Sequence, residues 1–173
     1  MKSIFSRPQA DETAPYYFTY INLAAGDDPR GEMEHQLRQS EALFVQISEA
    51  KSLHRYAPEK WSIRQLLNHV TDTERAFTFR ALWFARGFEA ALPGYDQNIA
   101  ASGAGADQIS WAAHIEEFRA VRLATILMFR NLPPTAWTRR GIASDNPFTV
   151  RALAYIIPGH FAHHVKVLKE RYL

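Results

Sequence analysis

The sequence contains no cysteine in 173 residues. That absence excludes a disulfide framework, thiolate metal ligation, a cysteine nucleophile and a thiol redox switch. It also lacks a charge excess, because 20 basic against 18 acidic residues leave a formal charge of +2. So even a balance makes no strong phosphate-binding field, and no Lys/Arg cluster with interleaved aromatics marks a nucleic-acid groove. No nucleic-acid partner is expected. Nothing approaches the ~18 consecutive apolar residues of a membrane span, so no membrane partner is expected either. The opening residues, Met1 to Pro8, break their apolar run too early for a signal peptide, and a cytoplasmic location is expected. G-x-G-x-x-G, P-loop and G-x-S-x-G motifs are all missing.

What is present is an ordinary globular composition, 47% apolar and 22% charged. The length suits one domain over residues 1–173, with a core large enough to fold without a metal or disulfide. Residues 1–29 read as an N-terminal arm packed on that domain. Pro8 and Pro15 make its start irregular, whereas Tyr16, Tyr17, Phe18, Tyr20 and Ile21 are too apolar for a free tail. Gly26 to Pro29 form a turn.

Four stretches carry a helical period. The first runs from about Arg30 to Glu49, with Leu37, Glu41, Phe44, Val45 and Ile47 on a partial apolar face. The second opens at Ser62, where Gln65 three residues on completes a capping box and Trp61 can staple onto the helix. Its stripe reads Leu66, Val70, Thr73, Phe77, Arg80, Phe84, and Gly87 stops it. The third runs from Ser110 to Asn131 with stripe Trp111, Ile115, Phe118, Arg122, Thr125, Phe129, and ends at Pro133 and Pro134. The fourth starts near Thr149 and runs to Tyr172 with stripe Leu153, Ile157, His160, His164, Val167. The segments 92–106 and 137–147 show no sustained strand alternation. This pattern predicts an all-α four-helix bundle, with loops long enough for connections other than simple hairpins.

Seven histidines occur. His160 and His164 stand at i, i+4, so both rings share one helical face, the spacing of two cis ligands on one metal. His69, beside Val70 and three residues after Leu66, also leans inward. Together they could form a tri-histidine site with open positions, catalytic rather than structural in type. The plainer reading is three buried imidazoles satisfied by backbone or carboxylate. His163 lies 100° round the helix from His164 and is expected at the rim or surface. His35, His54 and His114 read as surface or satisfied side chains. Asp72, one turn from His69, could orient a ligand's second ring nitrogen. Pro158 is expected to kink the fourth helix just before His160, either opening room for a metal and substrate or simply curving the helix. Arg80 and Arg122 occupy stripe positions where leucine is usual. Each must be paired if buried, either with neighbours such as Asp72, Glu74, Glu116 or Glu117, or with an anionic substrate in the cavity.

Three segments resemble the DinB-like (DinB/YfiT-like) family. They are YAPEKWSIRQLLNHVTDTE from Tyr56 to Glu74, LPGYDQN from Leu92 to Asn98, and the ending GHFAHHV from Gly159 to Val165. In order, they carry a resemblance that covers roughly Tyr16 to Tyr172. The resemblance implies a four-helix bundle with non-trivial connectivity, often dimeric. It implies a divalent metal, nickel or zinc, held by His69, His160 and His164. Family activities include thiol-dependent S-transfer and maleylpyruvate isomerisation. Pro158 departs from a block that commonly carries a small residue there. The expectation is a metal-dependent transferase or hydrolase acting on a small molecule, with any thiol supplied by a low-molecular-weight cosubstrate. Zinc is the default metal because imidazole suits it, and the Irving–Williams order makes nickel competitive. A homodimer is expected through the Tyr16–Tyr20 aromatics. The competing reading is a non-enzymatic metal-binding or stress-response bundle.

Overall fold

Each long helix starts on a side chain that satisfies its free amide groups. In the computed structural model, which describes residues 4–173, helix α1 is Phe18–Ile21 and α2 is Pro29–Phe44. Helix α3 is Ile63–Ala85, α4 is Gln97–Gly103, α5 is Trp111–Arg130 and α6 is Val150–Arg171. The predicted capping box is present. The Gln65 amide donates to Ser62 Oγ at 3.1 Å, and the Ser62 amide donates to Gln65 Oε1 at 3.0 Å. Asp28, Ser110 and Thr149 cap α2, α5 and α6 in the same manner.

Two boundaries differ from the sequence reading. Helix α2 ends at Phe44, not near Glu49, and Val45 is exposed. A hairpin, β1 at Arg140–Ala143 and β2 at Asn146–Thr149, occupies the stretch read as polar and strandless. Its strands have four residues each, too short for alternation to register. Its turn is Ser144–Asp145, both at positive φ (50° and 58°), where asparagine or glycine would have signalled it. The hairpin lies against the end of α3, and a side chain at Gly141 would collide with the Phe84 ring.

The four long helices make the predicted bundle with an unusual order. Helix α3 packs mainly on α5 and α6, and so does α2. The links from α2 to α3 and from α5 to α6 therefore cross between opposite corners of the bundle. The short α1 packs on α6, where Gly159 allows close approach. A Cβ there would lie 1.9 Å from the Tyr20 carbonyl oxygen. The arm before α1 is tied down from residue 4 onward, and its first three residues lie outside those described. Buried Glu12 pairs with Arg151 and accepts from Thr149 Oγ1 at 2.7 Å, while Tyr155 donates to the Phe5 carbonyl at 2.7 Å. Helix α6 is continuous through Pro158.

Of the two arginines on the helix stripes, one is structural. Arg122 is fully buried and its Nε stands 3.0 and 2.9 Å from the two Glu74 carboxylate oxygens. Its Nη1 donates to Gln36 Oε1 at 3.0 Å, and Gln36 Nε2 donates to the Pro158 carbonyl at 3.0 Å. The guanidinium also lies over the rings of Phe118 and Phe161, 5.2 and 4.9 Å from their centroids. This network joins α5, α3, α2 and α6. Removing one partner leaves a buried charge without compensation. Glu74→Ala is expected to lower the unfolding free energy by roughly 3–5 kcal/mol, read as a reduced urea midpoint.

Candidate metal centre

The stripes of α3 and α6 face each other, and this brings His69 to His160 and His164. His69 and His160 are 4% and 5% exposed, and His164 is half-buried. Nε2 of His160 is 3.2 Å from Nε2 of His69 and 3.1 Å from Nε2 of His164. One ring nitrogen from each lies within 4.8 Å of the others. Two nitrogen ligands of a tetrahedral zinc ion stand about 3.3 Å apart, so this spacing fits a divalent metal. The proton count points the same way. His160 Nε2 offers one lone pair or one proton, and cannot make two good hydrogen bonds to two imidazoles at once. A shared cation satisfies all three lone pairs. The all-nitrogen donor set suits zinc, nickel or copper more than magnesium or calcium.

The ring orientations have local causes. His69 Nδ1 lies 3.3 Å from Thr73 Oγ1, one turn along α3, so Thr73 can accept the Nδ1 proton and leave Nε2 free to ligate. Asp72 does not take that role. Its carboxylate accepts from Arg75 Nη1 at 3.0 Å on the outer side of the helix. Trp61, expected to staple the helix start, has its ring tilted against that of His69 at 4.8 Å. Tyr20 and Phe77 stand edge-on to His160 at 5.3 and 6.2 Å. His163 lies outside the cluster, its ring 5.8 Å from that of Tyr20. His35 and His54 are exposed, and buried His114 bonds the Ala106 carbonyl at 2.9 Å. Thr73 was legible as a member of the α3 stripe. Tyr20 was not, because only the packing of α1 on α6 brings it there.

His69 and His160 line a cavity of about 220 Å3, together with Tyr20, Thr73, Arg80 and Ser144. It adjoins an apolar pocket of about 640 Å3 under Leu92, Pro93 and Tyr95. Ala76, Arg80 and Tyr95 border both.

Burial pushes His69 down to about 4 and His164 down to about 3, with the neighbouring imidazoles adding to it. His160 falls well below its ordinary value, first through burial, then through the adjacent histidines and Arg122. All three are neutral at pH 7, the form that binds metal. The sign of the pH effect follows. Unfolded imidazoles take up protons below pH about 6.5, while the folded ones resist until about 4 or lower. Metal-free protein is therefore expected to be most stable above pH 6.5 and to lose stability steadily between 6.5 and 4. Urea midpoints across that range check this, and His164→Ala should flatten the decline.

Residues 32–168 match the model of the DinB superfamily. No curated protein matches the sequence. Among solved structures, YfiT from Bacillus subtilis superposes with a TM-score of 0.69, over 94% of this chain and 89% of that one, at 15% identity. YfiT is described as "a probable metal-dependent hydrolase with an unusual four-helix bundle topology". At that identity the likeness carries the fold. No helix of this chain among the described residues is long and apolar enough to cross a membrane. The family match runs through all four long helices and takes in the segments that hold His69, His160 and His164, and on it the chain belongs to the DinB superfamily.

Proposed function

We propose that the protein is a metal-dependent enzyme acting on a small molecule, by hydrolysis or by transfer to a low-molecular-weight thiol. The observation that carries this is the opening of the tri-histidine cluster onto a cavity. A closed structural centre has no use for space beside its ligands, and here His69 and His160 both border about 220 Å3 of it. That space favours the enzyme over a non-enzymatic metal-binding bundle. The description of YfiT supports the hydrolase branch.

His69, His160 and His164 hold the ion, zinc or nickel, through neutral imidazoles. When bound, the ion supplies Lewis acidity, lowering the pKa of a water or thiol and polarising a carbonyl. Thr73 holds His69 in the ligating tautomer. Trp61, Tyr20 and Phe77 wall the histidines and keep bulk water from their faces. The Tyr20 hydroxyl is protonated at neutral pH like any tyrosine, and burial and its 3.0 Å contact with the Tyr16 hydroxyl raise its pKa further. It is available as a neutral hydrogen-bond donor at the edge of the cavity. With no cysteine in the chain, a nucleophilic thiol must come from a cosubstrate.

Elemental analysis of untagged protein and its variants tests the site. His69→Ala, His160→Ala and His164→Ala are each expected to lose most bound metal, and His163→Ala to keep it. Thr73→Val is expected to weaken metal affinity by about tenfold. Metal-dependent turnover in a screen of esters, amides and thiol acceptors, lost in the same three alanine variants, tests the activity. Unchanged metal content in all three removes the chemical centre on which the proposal stands.

A further inference from the structure

Among the described residues, Arg80 is the one inward arginine with no carboxylate beside it. It is 6% exposed. Arg122, Arg64 and Arg151 are similarly withdrawn from solvent, and they pair with Glu74, Glu49 and Glu12. Around Arg80, among the described residues, the groups in hydrogen-bonding or charge contact are neutral. Its Nη2 lies 2.8 Å from Ser144 Oγ and 3.5 Å from the Pro93 carbonyl oxygen, and the Tyr17 hydroxyl stands against it. The Phe77 ring lies 5.7 Å from its central carbon. A guanidinium carries five N–H donors, and these contacts leave several free. The free ones face space, because Arg80 borders both cavities.

The surroundings are built to hold that guanidinium. Ser144 reaches it from a two-residue turn in which both residues sit at positive φ without being glycine, a backbone cost borne at few places in a protein. The loop carrying Pro93 is pinned to the same hairpin, with the Leu92 amide donating to the Ile142 carbonyl at 2.9 Å and the Ser144 amide to the Leu92 carbonyl at 3.2 Å. The other charges on the larger pocket, Asp72 and Arg75, neutralise each other at 3.0 Å. Arg75 also pairs with Glu117 at 2.8 Å, so Arg80 is the cation of the two adjoining cavities that has no carboxylate partner among the described residues.

We propose that Arg80 is the anion-binding residue of the cavity. Its guanidinium takes the carboxylate of a small organic acid, whose apolar body fills the pocket under Leu92, Pro93 and Tyr95. Arg80 lies about 16 Å along α3 from His69, and its side chain leans back towards the helix N-terminus and so towards the histidines. A bound carboxylate thereby directs the rest of the molecule to the His69–His160 face. That last orientation rests on the metalloenzyme reading; the anion site does not. Burial disfavours the charge on Arg80 and Tyr17 offsets this only in part, so a carboxylate would relieve a cost already present in the fold.

Calorimetric titration with phenylacetate and its neutral analogue phenylacetamide tests the proposal. The wild-type protein is expected to bind the acid about tenfold more tightly than the amide, as a charge-assisted, forked hydrogen bond implies. Arg80→Met is expected to bind both alike and to melt no lower than wild type, because it removes a buried cation that has no ionic partner. Arg80→Gln, which can still bond Ser144, serves the same comparison should the methionine variant not fold. His160→Ala is expected to keep the preference for the acid, whatever its metal content. Equal binding of the two probes to wild type, no binding of either, or a preference that survives both Arg80 variants overturns the proposal. So does a preference lost in His160→Ala but kept without Arg80, which would place the acid on the metal. The metal content of His160→Ala, measured on the same sample, decides the metalloenzyme reading separately.

Discussion

The four long helices meet at a single ion pair. Arg122 reaches from α5 to Glu74 on α3 and Gln36 on α2, and Gln36 passes the contact on to the Pro158 carbonyl of α6. An apolar seam would tolerate sliding of one helix against another. A fully buried guanidinium does not, because losing its partners would leave a charge in a medium that cannot solvate it. The network therefore sets the register of α3 against α6. His69 lies five residues before Glu74, and His160 follows Pro158 by two. The convergence of the imidazole nitrogens thus depends on a contact about one turn away that touches none of them. The same charge adds to the burial that keeps His160 neutral.

Much of this was readable from the sequence where local rules operate. Ser62 with Gln65, and Thr149 before an apolar run, mark helix starts through bonds that span three residues. The stripes on α3 and α6 follow from the 3.6-residue period, and they place His69, His160 and His164 inward without knowledge of the partner helix. What stayed hidden depends on contacts far apart in the chain. Arg80 and Arg122 look alike in sequence, each on a core stripe with acidic residues nearby. The packing separates them by bringing Glu74 to one and an open cavity to the other. The β1–β2 hairpin was hidden because serine, and not glycine or asparagine, opens its turn at positive φ, and Pro147 inside a four-residue strand argues against a strand.

Chemically, the adjoining cavities are polarised along α3. One end has the His69 and His160 imidazoles, and towards the other, among the described residues, stands a guanidinium with no carboxylate partner. Helix α3 supplies His69, Thr73, Phe77 and Arg80 from one face, so the ends of this axis keep a fixed separation. The loop carrying Pro93 and Tyr95 and the hairpin carrying Ser144 close it from two other parts of the chain, and they are bonded to each other. The ends of the axis stand on a helix and its sides on loops, the parts of a fold that most often carry binding residues.

The close approach at Gly159 has a consequence for the order of assembly. Helix α1 seats its Tyr20 backbone on a spot of α6 where only a hydrogen atom fits, and the arm before it is fastened to residues 137 to 150 positions further on. No part of that seat exists until the last helix has formed. That segment therefore takes its place only once α6 is made, and loop-closure entropy makes such distant contacts slow. Until it docks, Tyr16, Tyr17 and Tyr20 are absent from the cavity and the histidine cluster is open to solvent on that side.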